Sequence, residues 1–126
     1  MRAVDTNVLV RLIVRDDPKQ VEAAEEFISK GAWVSYLVLA EISWVLETIF
    51  KRDSEQIATA VEMLLNHAQF TIQDADAVQT ALEKFRKRPT LGFADNLIVE
   101  IARKNGHLPV GTFDRELSKL EGTQRL

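Results

Sequence analysis

The chain has 126 residues, 46% of them hydrophobic and 28% charged, which suits one domain with a substantial core in a soluble globular protein. It has no cysteine, so disulfides, thiolate nucleophiles and cysteine-based zinc sites are excluded. A net charge of −3 argues against holding nucleic acid by a strong overall positive field, and no apolar run is long enough to span a membrane. The opening Met1-Arg-Ala-Val-Asp5 lacks the apolar stretch of a signal peptide, which makes the cytoplasm the expected location.

Residues 2–4 are short and apolar and read as a buried strand, followed by a helix over 6–14. Asp17-Pro18 marks a helix start, with Asp as N-cap and Pro in the first position. Val21, Ala24, Phe27 and Ile28 give that helix its inner stripe, and Gly31 stops it. Trp33-Val34-Ser35 is a second strand. Residues 37–50 form the most hydrophobic helix, apolar nearly all round, and so are buried or covered by a partner. Asp53-Ser54 caps the next helix, with Ile57, Val61, Leu64 and Leu65 on its inner face. Phe70-Thr-Ile72 is a third strand, and Asp74 caps a helix carrying Val78, Leu82 and Phe85 that ends before Pro89.

A helix over 93–104, closed by Asn105-Gly106, leads to a fourth strand over 108–112. A short helix near 115–120 and a small edge strand over 122–126 complete the chain. Short apolar strands alternating with helices predict an α/β fold, one domain over residues 1–126 with a parallel sheet covered on both faces.

Most of the 19 acidic residues lie in polar runs, but Asp5, Glu41, Asp95 and Asp114 are set against apolar sequence. A carboxylate beside a core is costly unless it is paired, hydrogen-bonded or bound to a metal. On a helix, the neighbours of Glu41 at three and four residues are Leu37, Val38, Trp44 and Val45, none of them a cation. Asp95 has Leu91, Gly92, Ile98 and Val99 at the same spacings. In parallel sheets, functional residues gather beyond the carboxyl ends of the strands. Asp5 and Asp114 each follow a strand, Asp95 begins a helix and Glu41 lies in the first turns of one, so all four can share that edge.

Each of these acids also has a structural reading. The three Asp residues can cap helix N-termini, and Glu41 can pair with a distant Arg. Clustered carboxylates without cations suit a hard divalent ion, above all magnesium, and two such ions can activate a water for phosphodiester cleavage. Other chemistries find no support. His67 and His107 have neither metal nor triad spacing, the serines lack a nucleophile-elbow context, and there is no phosphate-binding glycine loop. An aspartate-nucleophile phosphatase wants a second acid two residues after Asp5, where this chain has Asn7. A non-catalytic binding module, its acids purely structural, is the third reading.

Val4-Asp-Thr-Asn7 after the first strand, Leu39-Ala-Glu-Ile42, Phe93-Ala-Asp-Asn-Leu97 and Gly111-Thr-Phe-Asp114 together resemble the PIN domain. Within it, the chain is most similar to the VapC-like ribonuclease toxins of bacterial and archaeal toxin–antitoxin pairs, in order and over essentially its whole length. The resemblance implies a three-layer α/β/α sandwich with a small parallel sheet, and cleavage of RNA that depends on magnesium or manganese. By the family pattern, Asp5, Glu41, Asp95 and Asp114 form the catalytic acidic site. Asp5, Asp95 and Asp114 would hold the metal, and Thr6, Asn96 and Thr112 would stand beside it. The resemblance further implies a homodimer held inactive by a cognate antitoxin. A PIN nuclease that is not a toxin is the alternative.

Two further surfaces follow from the residues themselves. Lys84-Phe-Arg-Lys-Arg88 is a basic strip; Arg86, Lys87 and Arg88 are expected to contact the RNA backbone, or else to be the solvated end of a helix where cations suit the dipole. The helix over 37–50 has more apolar residues than one stripe can bury, which leaves some of Trp44, Leu46, Ile49 and Phe50 exposed for a homodimer or an amphipathic antitoxin helix.

Overall fold

A computed structural model describes all residues, Met1–Leu126. They form two compact units, Met1–Ala75 and Asp76–Leu126. In the first, three short strands, β1 (Arg2–Ala3), β2 (Ala32–Val34) and β3 (Phe70–Ile72), form a parallel sheet in the order β1-β2-β3. The helices between them are α1 (Thr6–Val14) and α2 (Pro18–Ile28) after β1, and α3 (Tyr36–Thr48) and α4 (Ser54–Asn66) after β2. The second unit is built on α5 (Ala75–Lys87) and α6 (Phe93–Lys104), followed by a parallel pair of strands, β4 (Val110–Thr112) and β5 (Thr123–Arg125). The α/β class with parallel strands is the one expected. No helix is long and apolar enough to cross a membrane.

Local capping chemistry sets most helix starts. Asp5, Asp17 and Asp53 each accept a backbone N–H in the first turn of the helix that follows, and Asp53 forms a reciprocal capping box with Gln56. Gly31 turns the chain from α2 into β2 at φ 93, a left-handed conformation that a side chain resists. Asp74 does not sit as an extended N-cap: its φ of 50 places it in the left-handed region before α5.

Three other expectations are corrected. Arg2 and Ala3 are exposed, because β1 pairs with β2 on one side only; Val4 is the residue that enters the core. The fourth strand starts at Val110, after Pro109, which has no N–H to give a ladder. The short helix after it is a single 3-10 turn, Leu117–Lys119.

In α3, Leu39, Ile42 and Leu46 are fully buried, so Leu46 is not a surface residue. Leu37, Trp44 and the capping residue Ile49 are exposed. In the second unit, the rings of Phe85 and Phe93 pack edge to face with centroids 6.3 Å apart, joining α5 to α6.

Candidate catalytic site

In the first unit, the carboxyl ends of β1 and β2 deliver two of the four acids. Asp5 directly follows β1, and its Oδ1 accepts from Val8 N at 3.2 Å at the start of α1. Thr6, the first residue of α1, is buried. Glu41 lies in the second turn of α3, which Ser35 caps by accepting from Leu37 N. Its side chain is exposed and has no hydrogen bond or ion pair. The alternative of a buried ion pair to a distant Arg is therefore overturned. Leu37, Glu41, Trp44 and Thr48 share one face of α3, which puts the acid in the middle of an apolar exposed stripe.

The other two acids stand in the second unit. Asp95 is the third residue of α6, whose N-cap is Gly92, so capping by Asp95 is not what the structure contains. Burial of its carboxyl, and then the neighbouring charge of Asp114, raise its pKa above the usual carboxylate value. Asp114 is exposed and does act as a cap: its Oδ1 accepts from Glu116 N at 2.8 Å and from Leu117 N at 3.3 Å. Thr112 fixes the same acid from the other side, its hydroxyl oxygen accepting from Asp114 N at 2.9 Å. Asp5 and Asp114 thus each commit Oδ1 to the backbone and leave Oδ2 unengaged. Capping and ligation are compatible here, because a carboxylate has two oxygens.

Apolar sequence neighbours did not bury these acids. Asp5, Glu41 and Asp114 are exposed and Asp95 is half-buried, because adjacent residues on a strand end or a helix point in different directions. Asn96, expected beside the site, is buried instead. Its Nδ2 donates to Gly92 O at 3.0 Å, and its Oδ1 has no partner. Neither unit by itself gathers three or more acidic or histidine side chains as a metal cage. The donors that are present, exposed carboxylate oxygens without cations, are the hard ligands magnesium and manganese prefer.

The basic strip divides. Lys84 turns inward to Glu100, 2.8 Å away, while Arg86, Lys87 and Arg88 stay exposed. Arg88 donates to Lys119 O at 3.3 Å, on the 3-10 turn that Asp114 caps, so the end of the strip adjoins the Asp114 turn. Residues 76–126 carry nine Lys and Arg against seven Asp and Glu, whereas residues 1–75 carry seven against twelve. The overall negative charge therefore hides a mildly positive second unit.

Glu100 was missed from sequence. It is the most buried carboxylate of the chain, held by Lys84 and by Arg103 Nε at 3.3 Å. The signal was present in its apolar flanks Val99 and Ile101, but Arg103 three residues on supplies the cation that the other four acids lack.

The PIN domain family model matches residues 2–122. A VapC ribonuclease of Aquifex aeolicus (strain VF5) is 31% identical over 126 residues, covering 95% of this chain and 92% of that protein.

Proposed function

Because the chain belongs to the PIN-domain family, we propose that it is a metal-dependent endoribonuclease, the toxin of a toxin–antitoxin pair, working as a single domain in the cytoplasm. Asp5, Glu41, Asp95 and Asp114 form its acidic centre, with Asp5, Asp95 and Asp114 as ligands. Those carboxylates would hold magnesium or manganese, which would supply an activated water and charge to stabilise the leaving oxygen. The observation that carries this reading is the Asp95–Asp114 pair. Burial and then the charge of Asp114 raise the Asp95 pKa, and neither carboxylate is ion-paired to a protein cation. A divalent ion held there would offset that negative charge.

The residues around the acids have defined tasks. Thr112 and the backbone N–H groups of Glu116 and Leu117 fix Asp114, so its orientation is set before substrate arrives. Arg86, Lys87 and Arg88 meet the phosphates of the RNA. The exposed stripe of Leu37 and Trp44 on α3 serves a homodimer contact and the docking of an amphipathic antitoxin helix, whose Arg could approach Glu41. Binding of the metal has a readout independent of activity. At a hundredfold excess over its dissociation constant, magnesium or manganese is expected to stabilise the fold by roughly 2.7 kcal/mol in a thermal melt. Asp95→Asn is expected to abolish most of that shift; an equal shift in the variant would remove Asp95 from the ligand set.

A further inference from the structure

Phe113 is 81% exposed, the largest exposure of any large apolar side chain in the protein. In sequence it closes the apolar run 108–113, one residue past the strand expected over 108–112; in the structure its ring packs in no core. Its backbone, by contrast, is held on both sides. Thr112 O accepts from Leu126 N at 2.9 Å, Thr112 Oγ1 accepts from Asp114 N, and Asp114 O accepts from Ser118 N at 3.0 Å. Phe113 sits at the apex of the short turn that the Thr112 hydroxyl closes. An aromatic ring is thus presented to solvent on a fixed support, next to the acid Asp114.

The surroundings specify what such a ring would meet. Arg115 follows Asp114, Arg125 is paired in register with Thr112, and Arg88 lies at the far end of the 3-10 turn. All three are exposed, and no carboxylate pairs with any of them. An exposed aromatic interleaved with unpaired guanidinium groups is the composition that takes up single-stranded nucleic acid: cations follow the phosphates and the ring stacks on a base. An aromatic ring also suits a protein interface; the guanidinium groups around it are what favour a phosphate-bearing partner. The acid pair beside the ring needs a phosphodiester within reach, and the bases flanking that phosphodiester then lie near Phe113.

We propose that Phe113 is a base-stacking residue that receives an unpaired nucleobase next to the scissile phosphodiester; the inference rests on the RNA-cleaving reading above. It makes the enzyme selective for single-stranded RNA and positions the strand against Asp95 and Asp114.

The test uses the full chain in EDTA, so that binding is read without cleavage. The probes are an unstructured single-stranded oligoribonucleotide, the same strand with its bases removed, and a fully paired duplex. Phe113→Ala and Phe113→Leu are expected to weaken binding of the single strand by on the order of tenfold or more, the effect of losing one stacked base. Phe113→Trp should restore it. Binding of the base-free strand and the melting temperature should not change. A 2-aminopurine placed in the strand should be quenched by the wild-type protein and not by Phe113→Ala.

Equal binding of the single strand by wild type and Phe113→Ala would overturn the proposal while leaving the nuclease reading in place. So would a loss shared equally by the base-free strand, or full retention in Phe113→Leu. A wild-type protein that neither binds RNA in EDTA nor cleaves it with magnesium or manganese would overturn both. A Phe113→Ala protein that binds RNA normally but turns from dimer to monomer would assign the ring to a contact between copies.

Discussion

The ammonium of Lys84 lies 2.8 Å from Oε2 of Glu100, which joins the first cation of the basic strip to the most buried carboxylate of the chain. Lys84 of α5 is thus tied to α6 through one acid, whose other oxygen, Oε1, is approached at 3.3 Å by Arg103 of α6 itself. Removing that acid leaves a gap and two cations that must return to water. Glu100→Ala is expected to cost about 2 kcal/mol in denaturant unfolding. Lys87→Gln, on the exposed side, should stay within about 0.5 kcal/mol of wild type. Equal costs would contradict the division of the strip.

In the proposed reading, that division leaves RNA contact to the outer three cations. Changing Arg86, Lys87 and Arg88 to Gln together should weaken single-stranded RNA binding and reduce the slope of log affinity against log salt by about 2. An unchanged slope would return these residues to the role of a solvated helix end.

Asp95 provides a pH test. Its carboxyl titrates higher in the folded protein than the ordinary value of 3.8, through burial and then the charge of Asp114. Between those two values the folded state binds more protons than the unfolded chain. Stability is therefore lost as pH rises through that window and stays lowered above it. Without divalent ions, Asp95→Asn is expected to melt higher than wild type at neutral pH, and the gain should vanish as pH falls below 3.8. Thermal melts in EDTA check this; a variant that melts lower than wild type at neutral pH would contradict it.

The α3 stripe predicts association. Leu37→Ser with Trp44→Ser replaces two exposed apolar side chains, 67% and 60% accessible in the single chain. Light scattering of the wild-type protein should give a dimer, and the double variant should give a monomer of unchanged melting temperature. A wild-type monomer at high concentration would remove the homodimer.

Helix limits were legible because they are set locally. The span of α1 follows from Asp5 and Thr6, and that of α6 from the residues between Gly92 and Asn105. Side-chain exposure was less legible, being a tertiary property. Asp5 and Glu41 have apolar neighbours in sequence yet face solvent, and Phe113 ends an apolar run yet lies outside the core. Glu100 escaped notice because Arg103 satisfied it within one turn, while the partner that buries it, Lys84, comes from another helix. The four acids were found through the absence of local cations, a feature that does not depend on burial.

The most direct test of the metal-dependent nuclease is cleavage of a labelled RNA by the purified protein, alone, with EDTA, and in the variants Asp5→Asn and Asp95→Asn. Magnesium or manganese should support cleavage and EDTA abolish it. Each variant, shown to be folded by its melting transition, should lose at least about a hundredfold in rate. If the acids were only structural, Asn at Asp5 would still cap α1 and the changes would be nearly silent. Cleavage that survives EDTA, or full activity in either folded variant, would contradict the account.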